Sequence, residues 1–327
     1  MDTAHVRRLS FIVLRLLVTV SLLWFLASRF DFEHATEIVS RISLLLLAAA
    51  LAALVASVLV SAVRWQVVLA AEGLSPKLSS LTKLLFVGLF FNQVLPTGVG
   101  GDAARAWRYH KLGVPLGAAV QSVLIDRISG YVVIVATYVA SLPTLLRVLP
   151  DPGAQAGILT VLAIALAGLL ILPLMDFLPA QLMRLPGLAA LADLSRSVRR
   201  LIFNPGRWTA MLGLSILAVG CVVLAWKLVG DSLSVPLSFA TWLVIIPLVS
   251  LIQLTPVSLA GWGVREAAMV VILAGFGVSA TAALAISVLM GLALIVLGLP
   301  GGLIWLADWD ITEAAPSLRK RRLTAAD

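Results

Sequence analysis

The sequence predicts an all-α polytopic membrane protein: about six full transmembrane helices plus two re-entrant helical hairpins related by an inverted-topology repeat. Three observations predict it. Of 327 residues, 61% are hydrophobic and only 12% charged, with mean hydropathy +1.07, whereas a soluble domain carries about a quarter charged residues. The apolar residues gather into blocks of roughly 20, the length at which one helix crosses the ~30 Å hydrocarbon core. Stretches such as Leu44 to Val63 do not alternate apolar with polar residues, as the strands of an outer-membrane barrel must. The same composition excludes a water-soluble enzyme, a disordered chain and a coiled coil.

One membrane domain spans 1–327. Its first block, Leu9 to Ala27, follows Arg7 and Arg8 and exceeds the usual 7 to 15 apolar residues of a signal peptide, so it reads as an uncleaved span. The second is Ile42 to Val63. A shorter piece, Leu84 to Leu95, then stops at Pro96 and the glycines Gly98, Gly100 and Gly101. Apolar pieces this short, meeting at Pro and Gly, enter the membrane and return to the same side better than they cross it, which predicts a hairpin over 84–112. Ala118 to Leu146 and Ala156 to Met175 are full spans. A loop of some thirty residues, about Asp176 to Arg207, precedes the next span, Thr209 to Val229. Ala240 to Leu254 is again short, ends at Pro256, and is followed after Gly261 and Gly263 by Ala267 to Phe276, a second hairpin over 240–277. Ala282 to Leu306 closes the membrane part. The tail, 307–327, carries Arg319 to Arg322, suited to anionic lipid heads.

The basic residues test this order. With the amino terminus cytoplasmic, that side takes Arg7 and Arg8, the group from Arg64 to Lys111, the group from Arg184 to Arg207, and the tail. Arg29, Arg41, Arg147, Lys227 and Arg265 alone fall opposite, while Arg15 and Arg127 lie within spans. The bias follows the positive-inside rule, places both termini in the cytoplasm, and removes the net charge of +8 as evidence for nucleic acid. Trp24, Trp65, Trp107, Trp208, Trp226 and Trp305 fall near span boundaries, as an interfacial belt would. The lone Cys221 excludes an intrachain disulfide. Three scattered histidines give no metal-ligand spacing. No metal or cofactor is expected.

The two broken segments align at an offset of 160 residues on the pattern Q-x-x-P-x-x-x-x-G-x-x-x-R: Gln93, Pro96, Gly101 and Arg105, then Gln253, Pro256, Gly261 and Arg265. Three full spans separate the copies, so the second hairpin enters from the opposite face. Repeat one covers about 40–147 and repeat two about 208–306. In transporters this architecture builds a midplane binding site from paired discontinuous helices.

Backbone groups left unpaired at membrane depth must line a wet cavity or meet a ligand, and the half-helix after each tip presents free N–H groups and a positive dipole end. An anionic phosphate suits such a tip, with Arg105 and Arg265 as planar forks for its oxygens; alternatively the arginines face the membrane interfaces. Asp126 and Arg127 lie about nine residues into the third span, ~13 Å deep at ~1.5 Å per residue. Charges there are costly unless paired or wet, and Asp102 and the basic residues of the first hairpin are candidate partners. Asp102 and Glu266 could instead receive a head-group amine or carry a coupling proton. The candidate substrate-binding set is therefore Gln93, Pro96, Gly100, Gly101, Asp102, Arg105, Asp126, Arg127, Gln253, Pro256, Gly261, Gly263, Arg265 and Glu266, with no catalytic or metal site.

Asn92-Gln93-Val94-Leu95-Pro96, then Gly100-Gly101-Asp102 and Arg105, Asp126-Arg127 with Gly130, and finally Pro256 with Gly261-Trp262-Gly263-Val264-Arg265-Glu266 resemble, as an ordered set, the motif series of the lysylphosphatidylglycerol synthase transmembrane-region family, over roughly residues 10 to 308. This is the flippase-like domain of the bacterial multiple peptide resistance factor and of many stand-alone proteins. The resemblance implies a bacterial or archaeal inner-membrane protein that moves a lipid, or a lipid-linked head group, between leaflets. About twenty residues follow Leu306, so the aminoacyl transferase of larger relatives is not expected here and the chain is not expected to be an enzyme. The leading expectation is a flippase for a phosphate-containing lipid, whose partner is a membrane lipid with an anionic head group. A polyprenyl-phosphate-dependent glycosyl or head-group transferase, or a non-transporting lipid-binding accessory protein, remains the alternative.

Overall fold

The computed structural model describes residues 42–95, 99–149, 151–177, 179, 187–253 and 262–307. The expected first span, Leu9 to Ala27, and the basic tail lie outside the described residues. Among the described residues the chain is helical with no strand. Helices α1 (Leu44–Ala71), α2 (Leu78–Val94), α3 (Gly100–Lys111) and α4 (Leu116–Val148) form one half. Helices α7 (Pro205–Ser232), α8 (Phe239–Ile252), α9 (Val264–Ala274) and α10 (Ala280–Leu306) form the other. Between them come α5 (Pro152–Ile171), a 3-10 extension over Leu172–Phe177, and α6 (Leu188–Ile202). Five helices, α1, α4, α5 with its extension, α7 and α10, are long and apolar enough to cross a membrane, and they coincide with the second to sixth expected spans.

Local chemistry sets the starts. Ser43, Asp151, Asn204, Ser238 and Ser279 cap α1, α5, α7, α8 and α10 by accepting a backbone N–H of the first turn, and Pro152 and Pro205 follow two of these caps with a preset helical φ. One end and one loop differ from expectation. Helix α1 continues through Arg64 to Ala71 instead of stopping at Val63, because Arg64 is buried and paired rather than solvated at an interface. The loop after α5 contains α6, whose buried residues Ala192, Leu194, Val198 and Leu201 pack inward while Arg196 and Arg200 face out. Gln121 of α4 pins it by donating to Ser197 Oγ and the Asp193 carbonyl.

The packing of the halves has a regular pattern. Helix α1 lies along α7; α2 packs on α10 and α8 on α4; α2 meets α3 and α8 meets α9; α3 meets α4 and α9 meets α10. Exchanging α1–α4 for α7–α10 maps each of these contacts onto another. The α2–α10 seam is a backbone contact: a Cβ on Gly301 would stand 1.9 Å from the Phe86 carbonyl oxygen, and Gly298 and Gly302 abut Phe90. Small residues permit such approach where no aqueous hydrophobic force drives helices together.

Two apolar cores result, and three helices pass from one to the other. On α1, residues Ala50 to Val58 belong to the first and Ala62 to Leu69 to the second; on α4 the division falls between Val135 and Ile125, and on α7 between Val223 and Met211. At that level sit Arg64, Asp126 and Ser215. A polar layer is thus held between two dry ones. Helix α5 contributes little to either and presents Leu159, Ile164, Leu170 and Ile171 outward, as a lipid-facing helix does. Gly301→Ala is expected to destabilise the protein by about 1–3 kcal/mol through overpacking, whereas Gly213→Ala, with nothing within 4 Å of the added Cβ, should leave stability unchanged or slightly raised; thermal unfolding of the detergent-purified protein followed by size exclusion checks both.

Candidate functional site

Helix α3 returns alongside α2 because two glycines let the backbones touch. A Cβ on Gly101 would be 2.0 Å from the Gly88 carbonyl oxygen, and the Gly101 N–H donates to Asn92 Oδ1 at 2.9 Å. The first turn of α3 therefore spends one of its free N–H groups on a side chain of α2. Its acidic residue Asp102 suits the positive end of the helix, and Arg105 follows one turn later.

From there a chain of ions runs across the polar layer. Arg105 Nη1 donates to Asp126 Oδ2 at 3.1 Å, and Arg64 Nε donates to Asp126 Oδ1 at 2.8 Å. Arg64 Nη1 continues to Ser215 Oγ at 3.2 Å. Arg105 Nε lies 3.1 Å from Asp102 Oδ1 but is not aligned to donate, and Arg127 Nε holds Asp102 Oδ2 at 2.6 Å while its Nη1 donates to Tyr131 Oη. Asp126 is ten residues into α4, about 15 Å along its axis. Gly130 makes room for Arg64: a Cβ there would come within 3.2 Å of Nη1. Arg105 also stacks over the Trp65 ring at 4.9 Å.

The second half repeats the plan with its carboxylate moved. Gly263, at φ +84 where a side chain would be strained, opens α9; its N–H donates to Glu266 Oε2 at 2.6 Å. Glu266 Oε1 accepts from Arg265 Nη2 at 2.6 Å and from Ser287 Oγ at 3.0 Å, and Arg265 Nε also reaches Ser287 Oγ at 3.1 Å. Arg265 stacks over Trp262 at 4.8 Å, and Gly291 leaves it space. In α4 and α10, Asp126 with Gly130 and Ser287 with Gly291 stand at one offset of 161, so both arginines meet the same helix position, carboxylate in one half and hydroxyl in the other.

Arg64, Asp102, Arg105, Asp126, Arg127 and Arg265 line one cavity of about 480 Å³, whose other walls come from α1, α2, α4, α7, α8 and α10. Gln93 and Gln253 both line it. Arg105 and Arg265 are 3% and 2% exposed, so neither faces a membrane interface. The structure brings together Gln93, Asp102, Arg105, Asp126, Arg127, Gln253 and Arg265 at the cavity; Gly100, Gly101 and Gly263 shape the helix starts, and Glu266 stands behind Arg265. Pro96, Pro256 and Gly261 lie outside the described residues. Arg64 was read as a cytoplasmic flank residue and is instead a central member; the apolar run resuming at Val67–Ala71 was the signal for it. Trp65 and Trp226 are buried, not interfacial.

A family model described as Lysylphosphatidylglycerol synthase TM region matches residues 12–302. No curated protein and no solved structure matches the chain.

Burial decides the worth of these ion pairs. Breaking one partner of a desolvated pair costs about 3–5 kcal/mol, against about 0–1 kcal/mol for an exposed pair. Asp126→Ala is expected to fall in the first range, and a double-mutant cycle on Arg64 and Asp126 to give a coupling several times that of Arg196 and Asp193, whose side chains are 58% and 62% exposed; chemical unfolding in detergent reads both.

Proposed function

The chain belongs to the lysylphosphatidylglycerol synthase TM region family, and we propose that it works as a lipid flippase, moving a phosphate-containing lipid between the leaflets of the cytoplasmic membrane. The observation that carries this reading is the cavity: at membrane depth, Arg64, Arg105, Arg127 and Arg265 are set against three carboxylates, Asp102, Asp126 and Glu266. Among the described residues of this group the arginines exceed the carboxylates by one positive charge. A head-group phosphate balances it, while acyl chains stay among the outward apolar residues.

The steps follow from the ion pairs. An entering phosphate joins Asp102 and Asp126 on Arg105 and Glu266 on Arg265, taking guanidinium donors that those carboxylates leave free, Arg105 Nε among them, so binding proceeds without stranding an ion. The two exchange-related halves, seamed along α1 and α7, support rocking that opens the site to each leaflet in turn. An inverted relation of the halves, with both termini cytoplasmic, belongs to this reading. The transferase alternative needs a free catalytic carboxylate near a leaflet surface; the pairing of Asp102 and Asp126 with arginines favours transport.

In liposomes carrying the purified protein, fluorescent phospholipid is expected to cross faster than in empty vesicles. Arg265→Lys keeps the charge but loses the fork and should slow crossing about tenfold, the loss of roughly one charge-assisted hydrogen bond, with the protein still monodisperse. Crossing no faster than in empty vesicles, across lipid classes and with a proton gradient, would sink the proposal.

A further inference from the structure

We propose that a cleft on α6 binds the phosphate of an anionic lipid at the membrane boundary, a site that shares no residue with the cavity and is independent of what the cavity carries.

The cleft, of about 600 Å³, is lined by Arg196, Arg199, Arg200 and Phe203 and by no carboxylate. Arg196 and Arg200 are exposed and stand one turn apart on α6, close enough for both to reach one phosphate. Arg200 donates to Ser197 Oγ at 3.0 Å and pairs with no carboxylate among the described residues. Arg196 pairs with Asp193, but their side chains are 58% and 62% exposed. A pair that open contributes little and yields readily to another anion. Arg199 is held by Asp176, so of the three arginines Arg200 is left uncompensated, and the exposed Arg207 of α7 adds to the same sign.

The position of the cleft selects its occupant. Helix α5 with its extension ends at Phe177 and α7 begins at Pro205, both long and apolar enough to cross a membrane, and α6 packs on that extension and on α7. The cleft therefore lies at the level where spanning helices leave the hydrocarbon. Phe177 and Phe203 are 69% and 78% exposed there, with Leu174 exposed beside them, and the Arg199 guanidinium lies over the Phe177 ring at 4.5 Å. Exposed rings next to exposed arginines suit acyl chains below and phosphates above. A soluble acidic partner would answer the charge but not the rings.

The site is joined to the ion network through α4. Gln121, whose amide donates to Ser197 Oγ and to the Asp193 carbonyl, lies five residues before Asp126 on that helix. A lipid held by Arg196 and Arg200 thus fastens α6, and with it the start of α4, to one leaflet.

The test is amide hydrogen exchange on the purified full chain in nanodiscs of phosphatidylcholine alone or mixed with phosphatidylglycerol. Phosphatidylglycerol is expected to slow exchange over 188–202 about tenfold, since a ligand of the closed state suppresses local opening. The double variant Arg196→Gln, Arg200→Gln should lose the slowing while exchange in α1 stays as in the wild type, which reports an intact fold. Phe203→Ser should lose most of it. Inorganic phosphate added to the phosphatidylcholine discs should produce none. No slowing in the wild type overturns the proposal, and so does slowing that survives in the double variant, which would place its source elsewhere, the cavity included. Slowing by inorganic phosphate equal to that by phosphatidylglycerol overturns the lipid assignment, and full slowing in Phe203→Ser overturns the part given to the ring.

Discussion

The structure depends on one constraint: an ion buried among membrane helices must meet its counter-ion there. Asp126 is 2% exposed on a helix whose neighbours are apolar, and an uncompensated carboxylate in that position costs several kcal/mol. Its two oxygens take guanidinium groups from α1 and α3, and through Arg64 the network reaches Ser215 on α7. Four helices are thereby fixed relative to one another by groups that have no alternative partner in lipid. The apolar cores on either side tolerate many substitutions of similar volume; the ion network tolerates few.

Space for these large side chains comes from residues with none. Gly130 and Gly291 admit Arg64 and Arg265, Gly88 and Gly101 bring α2 and α3 together, and Gly298, Gly301 and Gly302 seat α10 on α2. The tight backbone approach shortens the distance that each arginine must reach. Tryptophan rings then cover the guanidinium faces, Trp65 for Arg105 and Trp262 for Arg265, adding attraction at a face that makes no hydrogen bonds.

Much of this was legible in the sequence. Block length gave the five long apolar helices, because span length is fixed by bilayer thickness and needs no tertiary information. The breaks at Pro and Gly located the two pairs of short helices, and the depth of Asp126 and Arg127 marked them as needing partners in the first hairpin, which Arg105 and Asp102 supply. What was not legible required knowing which helix faces meet. Arg64 sits seven residues from the end of α1, and by hydropathy a basic residue there looks like a flank; only packing against α4 makes it a core residue. Likewise Trp65 and Trp226 have the position of belt residues but the burial of core ones, and α6 hid in a loop because its amphipathic pattern is short.

The two halves share a plan but not a distribution of charge, and the difference has an energetic consequence. In the first half Arg105 is held by Asp126 of α4 as well as by Asp102 of its own helix, so drawing α3 away from α4 separates Arg105 from Asp126, a buried ion pair, and the half-buried Arg127 from Asp102. In the second, Glu266 rides on α9 with Arg265, and drawing α9 away from α10 breaks hydrogen bonds to Ser287 but no ion pair. Separating buried ions without replacement costs far more than giving up neutral hydrogen bonds. On the flippase reading, the first hairpin therefore stays with α4 until a phosphate arrives to replace Asp126 on Arg105, Asp126 keeping Arg64, while the second carries its own counter-ion and can shift against α10 with the site empty or filled.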